Sequence, residues 1–421
     1  MSIHLGEYMA MMITSYLVFH RTHSVTLTGL ILVLYNAPAL LLTTPATALS
    51  HHYGAARVDA WVNTSEALIT LVPAVLGFTH HLTLGGLYCW VLAFGVCEGL
   101  NTPNSLLIRR LISPPQGLPE LNSAYTRNVA VAATVGILAG GGVFSLVGPG
   151  WVFVICAATA VPEVLLFFRL ARLSGHDDRH SGESDSLRDA IGLLRTEPGL
   201  SMACRFAVLC FFVAGYAVTL PAIANAVGSG AVNLSFLEAG SLLGGIFVAV
   251  FVKRAHGRVS WGRVQRICYF AAGAGLAAMA SVEYVSGPHS ASSSVLVILT
   301  TIPVSFTVLL NVSIVTSVIQ VGTPPEKRVS MFTLVALIPL VVGPLSQELV
   351  GSIADRFSVS SALGVVAAIT VLVNSFTSHR PMSRHFEALN EMTTPFQVNE
   401  MMSQRGGHRG HLHLHHHRDD T

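Results

Sequence analysis

The residues best equipped for chemistry in this chain are glutamates standing inside stretches that are otherwise apolar. Glu98 is the clearest. It lies midway along an apolar run, with Asn101 and Asn104 following at i+3 and i+6, so that one helical face presents a carboxyl and two amides. An acidic side chain at the centre of a membrane helix costs about 2.5–3.5 kcal/mol on insertion scales, so such residues call for a functional explanation. Two readings fit Glu98. It loads a proton from one side of a membrane and releases it to the other, or it is a structural carboxyl hydrogen-bonded to a neighbouring helix. Glu66 and Glu7 stand in two other runs and complete the set of proton-coupling candidates. Glu163, beside Pro162, and Glu238 and Glu348, near the ends of later runs, read as structural or interfacial. Asp59, Arg127 and Arg205 read as charges that snorkel to a membrane surface. Candidates for lining a cargo cavity are Asn36, Asn101, Asn104 and Asn311, with Tyr88 and Ser313 beside them.

These side chains need helices to hold them, and the chain supplies about twelve. A bilayer crossing takes about 20 mostly apolar residues. Runs of that kind fall at Ile3–Phe19, Ser24–Thr44, Val58–Phe78, Leu82–Leu107, Val129–Val147 and Trp151–Leu170. A second set falls at Phe206–Val227, Leu234–Val252, Val264–Val285, Val295–Ile319, Met331–Val350 and Val359–Phe376. Only 11% of the 421 residues are charged and the mean hydropathy is +0.60, against about 25% charged residues in soluble domains. The expected fold is an all-α polytopic membrane protein. Basic residues crowd into alternate gaps: with the N-terminus cytoplasmic, only Arg21 and Arg356 of the 24 Lys and Arg lie outside. Both termini are then cytoplasmic.

Between the two sets lies a polar linker, residues 171–200. It opens with a charged stretch and continues as Leu187–Leu194, whose apolar residues recur at helical spacing. The expected organisation is a six-helix half over 1–170, the linker with its amphipathic helix, a second six-helix half over 201–378, and a disordered His-rich cytoplasmic tail over 379–421. The six cysteines fall in or beside the runs without CxxC spacing and read as reduced core residues. The first run carries Glu7 and lacks a basic leader, unlike a cleavable signal peptide. His51, His52, His80 and His81 fall in expected loops, and His408, His411, His413, His415, His416 and His417 cluster in the tail. The tail's cluster could bind transition metals adventitiously, and no metal site is assigned to it.

Several segments resemble the major facilitator superfamily, and within it the enterobactin-exporter-like and macrolide-efflux-like permeases. They are Gly6-Glu7, Leu118-Pro119 with Asn122, Gly148-Pro149 with Phe153, Leu187 to Pro198, Pro324-Pro325-Glu326 with Arg328, Gly343-Pro344, and Gly351 with Asp355-Arg356. The resemblance implies two halves that rock about a central cavity near the bilayer midplane and expose it to each side in turn. Three features depart from the pattern. Ser50 and His51 stand where the first cytoplasmic loop usually carries an Asp-Arg pair, so Gly54 and Arg57 remain as the gating loop. Ile137 replaces the proline expected after Gly136. The first run begins almost at residue 1.

No hydrolase, zinc-protease or Walker signature is present, so the chain reads as neither an enzyme nor a self-contained ATP-driven pump. No cofactor or nucleic-acid partner is implied. The leading expectation is a monomeric, multi-pass secondary transporter of the plasma membrane. It would couple protons to the efflux of small amphipathic molecules such as a drug or siderophore. The alternative is a degenerate family member acting as a non-transporting scaffold or sensor, which the altered loop and missing proline favour.

Overall fold

A computed structural model describes residues 2–112, 118–173, 187–227, 230–255, 261–285, 291–323 and 327–377. Residues 174–186 of the linker, Pro324 to Glu326 and the His-rich tail lie outside the described residues. Within them the chain is helical and no strand occurs. Alternating polar and apolar faces are absent from the long runs, so β pairing has nothing to sort; continuous apolar surface favours helices, which satisfy their own backbone hydrogen bonds in lipid.

The first half comprises α1 (Ser2–Thr22), α2 (Val25–Tyr53), α3 (Ala55–Phe78), α4 (Leu84–Ile112), α5 (Leu118–Val147) and α6 (Pro149–Leu173). A short helix, α7 (Leu187–Thr196), packs on α8 and α13 with Leu193 buried. The second half begins with α8 (Pro198–Ala214), which runs through a 3₁₀ turn at Gly215–Thr219 into α9 (Leu220–Val227) as one continuous span. It continues with α10 (Ala231–Ala255), α11 (Trp261–Val285), α12 (Ala291–Gly322), α13 (Arg328–Arg356) and α14 (Val359–Phe376). This is the two-half, all-α membrane architecture expected from the sequence.

Ten helical stretches among the described residues are long and apolar enough to cross a membrane. The other two long helices, α1 and α11, sit within the bundle but are more polar. The first carries His4, Glu7, His20 and Arg21, the second Arg263, Gln265, Arg266 and Glu283. Both pack closely on neighbours: α1 on α5 and α6, and α11 on α12 and α14. Several helices overrun their apolar runs. The second reaches Tyr53 rather than Thr44, so His51 and His52 lie in its last turn and not in a loop. The fifth begins at Leu118, not Val129. Gly54, at φ +87°, joins α2 to α3 with a backbone that side-chain-bearing residues rarely adopt.

Inside the first half α3 lies along α6 and α4, and α2 along α4. Inside the second, α12 is flanked by α10, α11 and α8. The halves meet along two seams, α2 with α13 and α5 with α10.

Candidate functional site

Glu7 and His4 share one face of α1 because they are three residues apart. His4 Nδ1 stands 3.0 Å from Glu7 Oε2, and His4 Nε2 is 3.1 Å from the Tyr125 hydroxyl on α5. Tyr35, on α2, donates to Glu7 Oε1 at 2.6 Å. The α1 backbone continues the cluster: Ile3 N donates to Glu163 Oε1 of α6 at 3.4 Å. Glu98 of α4 lies within electrostatic range of Glu7, His4 and Glu163 and is hydrogen-bonded to Asn101. Five helices therefore direct a histidine, two tyrosines and three carboxyls toward one region. His4 and Glu7 remain 16% and 14% exposed although they sit inside the bundle, and Glu98 is likewise half-buried. Their surroundings are neither bulk solvent nor a dry core.

Glu66 is more deeply enclosed, 4% exposed on α3. So is Asp59, at 1%; it is not the snorkelling interfacial charge that its sequence position suggests. Asn101 Nδ2 donates to Asn63 Oδ1 at 3.3 Å. Asn104 is fully buried and accepts from the Ser50 hydroxyl, which also donates to the Ala46 carbonyl at 2.8 Å. Ser50, standing where an acid was expected, thus ties the end of α2 to α4. Gly54 and Arg57 form the adjoining α2–α3 junction.

The remaining candidates are dispersed. Asn36 is half-buried on α2, its amide donating to its own helix at Leu32 O, 3.0 Å away. Tyr88 donates to Leu27 O at 2.9 Å, and Ser313 to Leu309 O at 3.0 Å. Asn311 is fully buried in the other half. It accepts from Gln265 Nε2 at 2.6 Å and donates to Thr307 O at 2.8 Å, which commits its amide to holding α11 and α12 together. The structure does not bring it to the acidic cluster.

Sequence reasoning missed His4, Tyr35 and Tyr125. The i, i+3 spacing of His4 and Glu7 was available as a signal. The two tyrosines carried none, since they reach Glu7 and His4 from other helices.

One end of the inter-half seam is closed by a charged cap. Asp355, at the C-terminal end of α13, faces the N-terminus of α2. It accepts from Ser24 Oγ at 2.6 Å, Val25 N at 2.7 Å and Thr26 N at 3.0 Å. A carboxylate there satisfies amides that have no intrahelical partner and meets the positive end of the helix dipole. Gly351, one turn earlier, permits this approach: a Cβ there would stand 2.8 Å from Thr26 Cα. On the second seam, Gly141 of α5 lies against Ala231 and Ser235 of α10.

The architecture is similar to that of solved transporters. A nucleoside transporter, NupG, superposes with a TM-score of 0.61 at 13% identity, covering 92% of this chain and 98% of that one. A bacterial homologue of the iron transporter ferroportin, in an inward-facing state, gives 0.64 at 13% identity, with the same coverage. A D-xylose-proton symporter gives 0.66 at 10% identity, over 91% and 96% of the two chains. At such identities the likeness concerns the fold alone. No curated protein shows a significant sequence match. The sequence does match the Major Facilitator Superfamily over residues 1–346, and with the two-half bundle in place the chain belongs to that family.

Proposed function

We propose that the chain is a proton-coupled exporter of small amphipathic molecules, working by alternating access, with Glu98, Glu7 and Glu66 as its proton-carrying groups. The observation that carries this reading is the convergence of His4, Glu7, Tyr35 and Glu98 from three helices inside the membrane-spanning bundle. Groups that can change protonation, half-buried and cross-linked between helices, can couple a proton to a change in helix packing. Asn36, half-buried on α2, is the polar candidate best placed to contact cargo. Both termini face the cytoplasm in this reading, in a plasma membrane, with the monomer as the working unit. The Asp355 cap then closes the outer side, and Gly54 and Arg57 belong to the inner gate. The motif resemblance to enterobactin-exporter-like and macrolide-efflux-like permeases supports a siderophore or drug as cargo.

The experiment is accumulation of ethidium, a macrolide and a catecholate siderophore in cells with and without the protein, each with a protonophore control. The expected result is lower accumulation of at least one compound, reversed by the protonophore and abolished by Glu98→Gln with the protein still in the membrane. Equal accumulation across the panel would support the second reading, a non-transporting scaffold or sensor. That reading is favoured by Ser50, which engages Asn104 in place of a charged gating pair.

A further inference from the structure

A second polar feature runs through the first half, apart from the seams between halves. On α3, Asp59, Asn63, Glu66 and Thr70 recur at i, i+4, i+7 and i+11, and all four are buried. This helix packs on α6, α4 and α2, all of its own half. From α4, Asn104, Asn101 and Trp90 face it: Asn101 bonds Asn63, and Trp90 Nε1 donates to Thr70 Oγ1 at 3.2 Å. Five buried atoms along this line lack a hydrogen bond within 3.5 Å, namely Asp59 Oδ1, Asn104 Nδ2, Asn63 Nδ2, Asn101 Oδ1 and Glu66 Oε2, although Asp59 and Asn104 lie near enough to interact with each other. Leaving one such group unsatisfied costs about 1–3 kcal/mol. Five in one seam, with donors and acceptors interleaved, are the lining that a file of bridging water completes. At about 1.5 Å per residue the unfilled atoms, from Asp59 to Glu66, cover roughly 10 Å, about a third of a bilayer's hydrocarbon thickness. One end lies a turn from Gly54 at the α2–α3 junction. Glu98 joins the line at Asn63, one turn beyond Asp59, through Asn101.

We propose that this seam is a proton path, a water file completed by Asp59, Asn104, Asn63, Asn101 and Glu66, carrying protons between the α2–α3 junction and Glu98 through the interior of one half. Each transfer breaks one O–H bond on the donor and forms another on the next acceptor, water or carboxylate; the amides orient the file without being ionised. The titratable groups facing it are Glu98 and Cys97 from α4, Glu163 and Cys156 from α6, and Glu7 from α1 at longer range, with Arg57 near its start on α3. A purely structural seam would hold its carboxyls in one protonation state; a path requires them to exchange. The inference rests on the coupling role of Glu98, and it confines proton entry to a route that cargo does not share.

The test uses the full-length protein reconstituted in lipid vesicles, with protons released from a photolabile cage and carboxyl C=O stretching followed by time-resolved infrared spectroscopy. Bands are assigned with Glu98→Gln, Glu66→Gln and Asp59→Asn. Asn63→Leu is expected to slow proton arrival at Glu98 about tenfold, equivalent to about 1.4 kcal/mol on the barrier, and Asn63→Thr to restore it. Should leucine at 63 prevent folding, Asn104→Leu and Asn104→Ser make the same comparison from α4. An unchanged rate in the folded leucine variants would overturn the proposal, because protons would then reach Glu98 through the gap between halves. So would Asp59 and Glu66 bands that do not change between about pH 5 and about pH 9. Transport retained by Glu98→Gln would instead remove the coupling reading, an outcome separate from either rate.

Discussion

The two halves of the bundle bury polar side chains in different ways. In the first half the buried groups include carboxyls, and they reach one another across helices: Tyr35 to Glu7, His4 to Tyr125, Asn101 to Asn63. Five buried atoms along α3 and α4 are left unfilled. In the second half most buried groups are neutral and close on helix carbonyls, although Gln265 Oε1, Glu348 Oε1 and Asn374 Oδ1 are unfilled there too. Thr307 donates to Cys268 O at 2.7 Å, Tyr269 to Phe206 O at 3.0 Å and Ser346 to Phe212 O at 2.6 Å, while the Gln265–Asn311–Thr307 chain staples α11 to α12. A neutral group bonded to a backbone carbonyl pins two helices in one register. A carboxyl with an unfilled oxygen can change state, and its packing changes with it. On the proposed function, the convergent carboxyls of the first half do the chemistry and the second half is mainly framework.

The largest test of that division is a matched pair of carboxyl replacements. Glu98→Gln is expected to reduce uphill transport to background. Glu238→Gln, in the second half on α10, is expected to leave it within about threefold, under 1 kcal/mol. Both are read as protonophore-sensitive efflux at equal membrane abundance. Equal losses would dissolve the asymmetry.

Next in size is the cap that joins the halves. Asp355→Ala removes three hydrogen bonds to the α2 N-terminus at once. A loss of about 1–2 kcal/mol shifts the balance between closed and open seams about five- to thirtyfold. Double electron–electron resonance between spin labels at the exposed positions His23 and Phe357 should show a longer-distance population rising in the variant. An unchanged distance distribution would mean that the α5–α10 seam alone holds the halves together.

A smaller contrast sets framework against chemistry. Asn311→Leu strands the buried Gln265 amide and is expected to cost about 1–3 kcal/mol, seen as a lower melting temperature in detergent, with transport by the folded fraction kept. Asn101→Leu strands the buried Asn63 Oδ1 and should cost a similar amount of stability, but here transport by the folded fraction should be impaired as well. Reversal of that pattern would show the amides of the first half to be structural.

The sequence made the helices legible because hydrocarbon-length apolar runs leave few alternatives. It made their ends less so. The run that α2 extends stops reading as apolar at Thr44, yet the helix continues to Tyr53, because Ser50 finds a partner on α4 and Gly54 supplies the turn. Glu98 with Asn101 was visible as a spacing on one helix. What joins Glu7 to Tyr35, or His4 to Tyr125, is packing between helices 28 and 121 residues apart in sequence, which no local pattern encodes. Asp59 shows the same limit from the other side. Near the start of a run it resembles a surface charge, and only the packing of α3 against α4 and α6 buries it.

The finest test exchanges one hydroxyl in each half. Tyr35→Phe deletes the bond to Glu7 Oε1 and almost nothing else, since the ring and its stacking on Phe94, centroids 6.2 Å apart, are kept. Tyr216→Phe deletes contacts of 3.2 Å to Ser241 and Ser305. Each change removes hydrogen bonding worth about 0.5–1.5 kcal/mol, so the two variants should lose similar, small amounts of thermal stability. They should separate in function. With Tyr35 gone, α2 no longer reads the state of Glu7 on α1, and efflux should fall about two- to tenfold across the pH range. Tyr216 joins neutral groups only, and its loss should leave efflux as in the parent protein. A Tyr216→Phe variant as impaired as Tyr35→Phe would place working parts in the second half as well, and the division between a half that changes state and a half that holds shape would have to be given up.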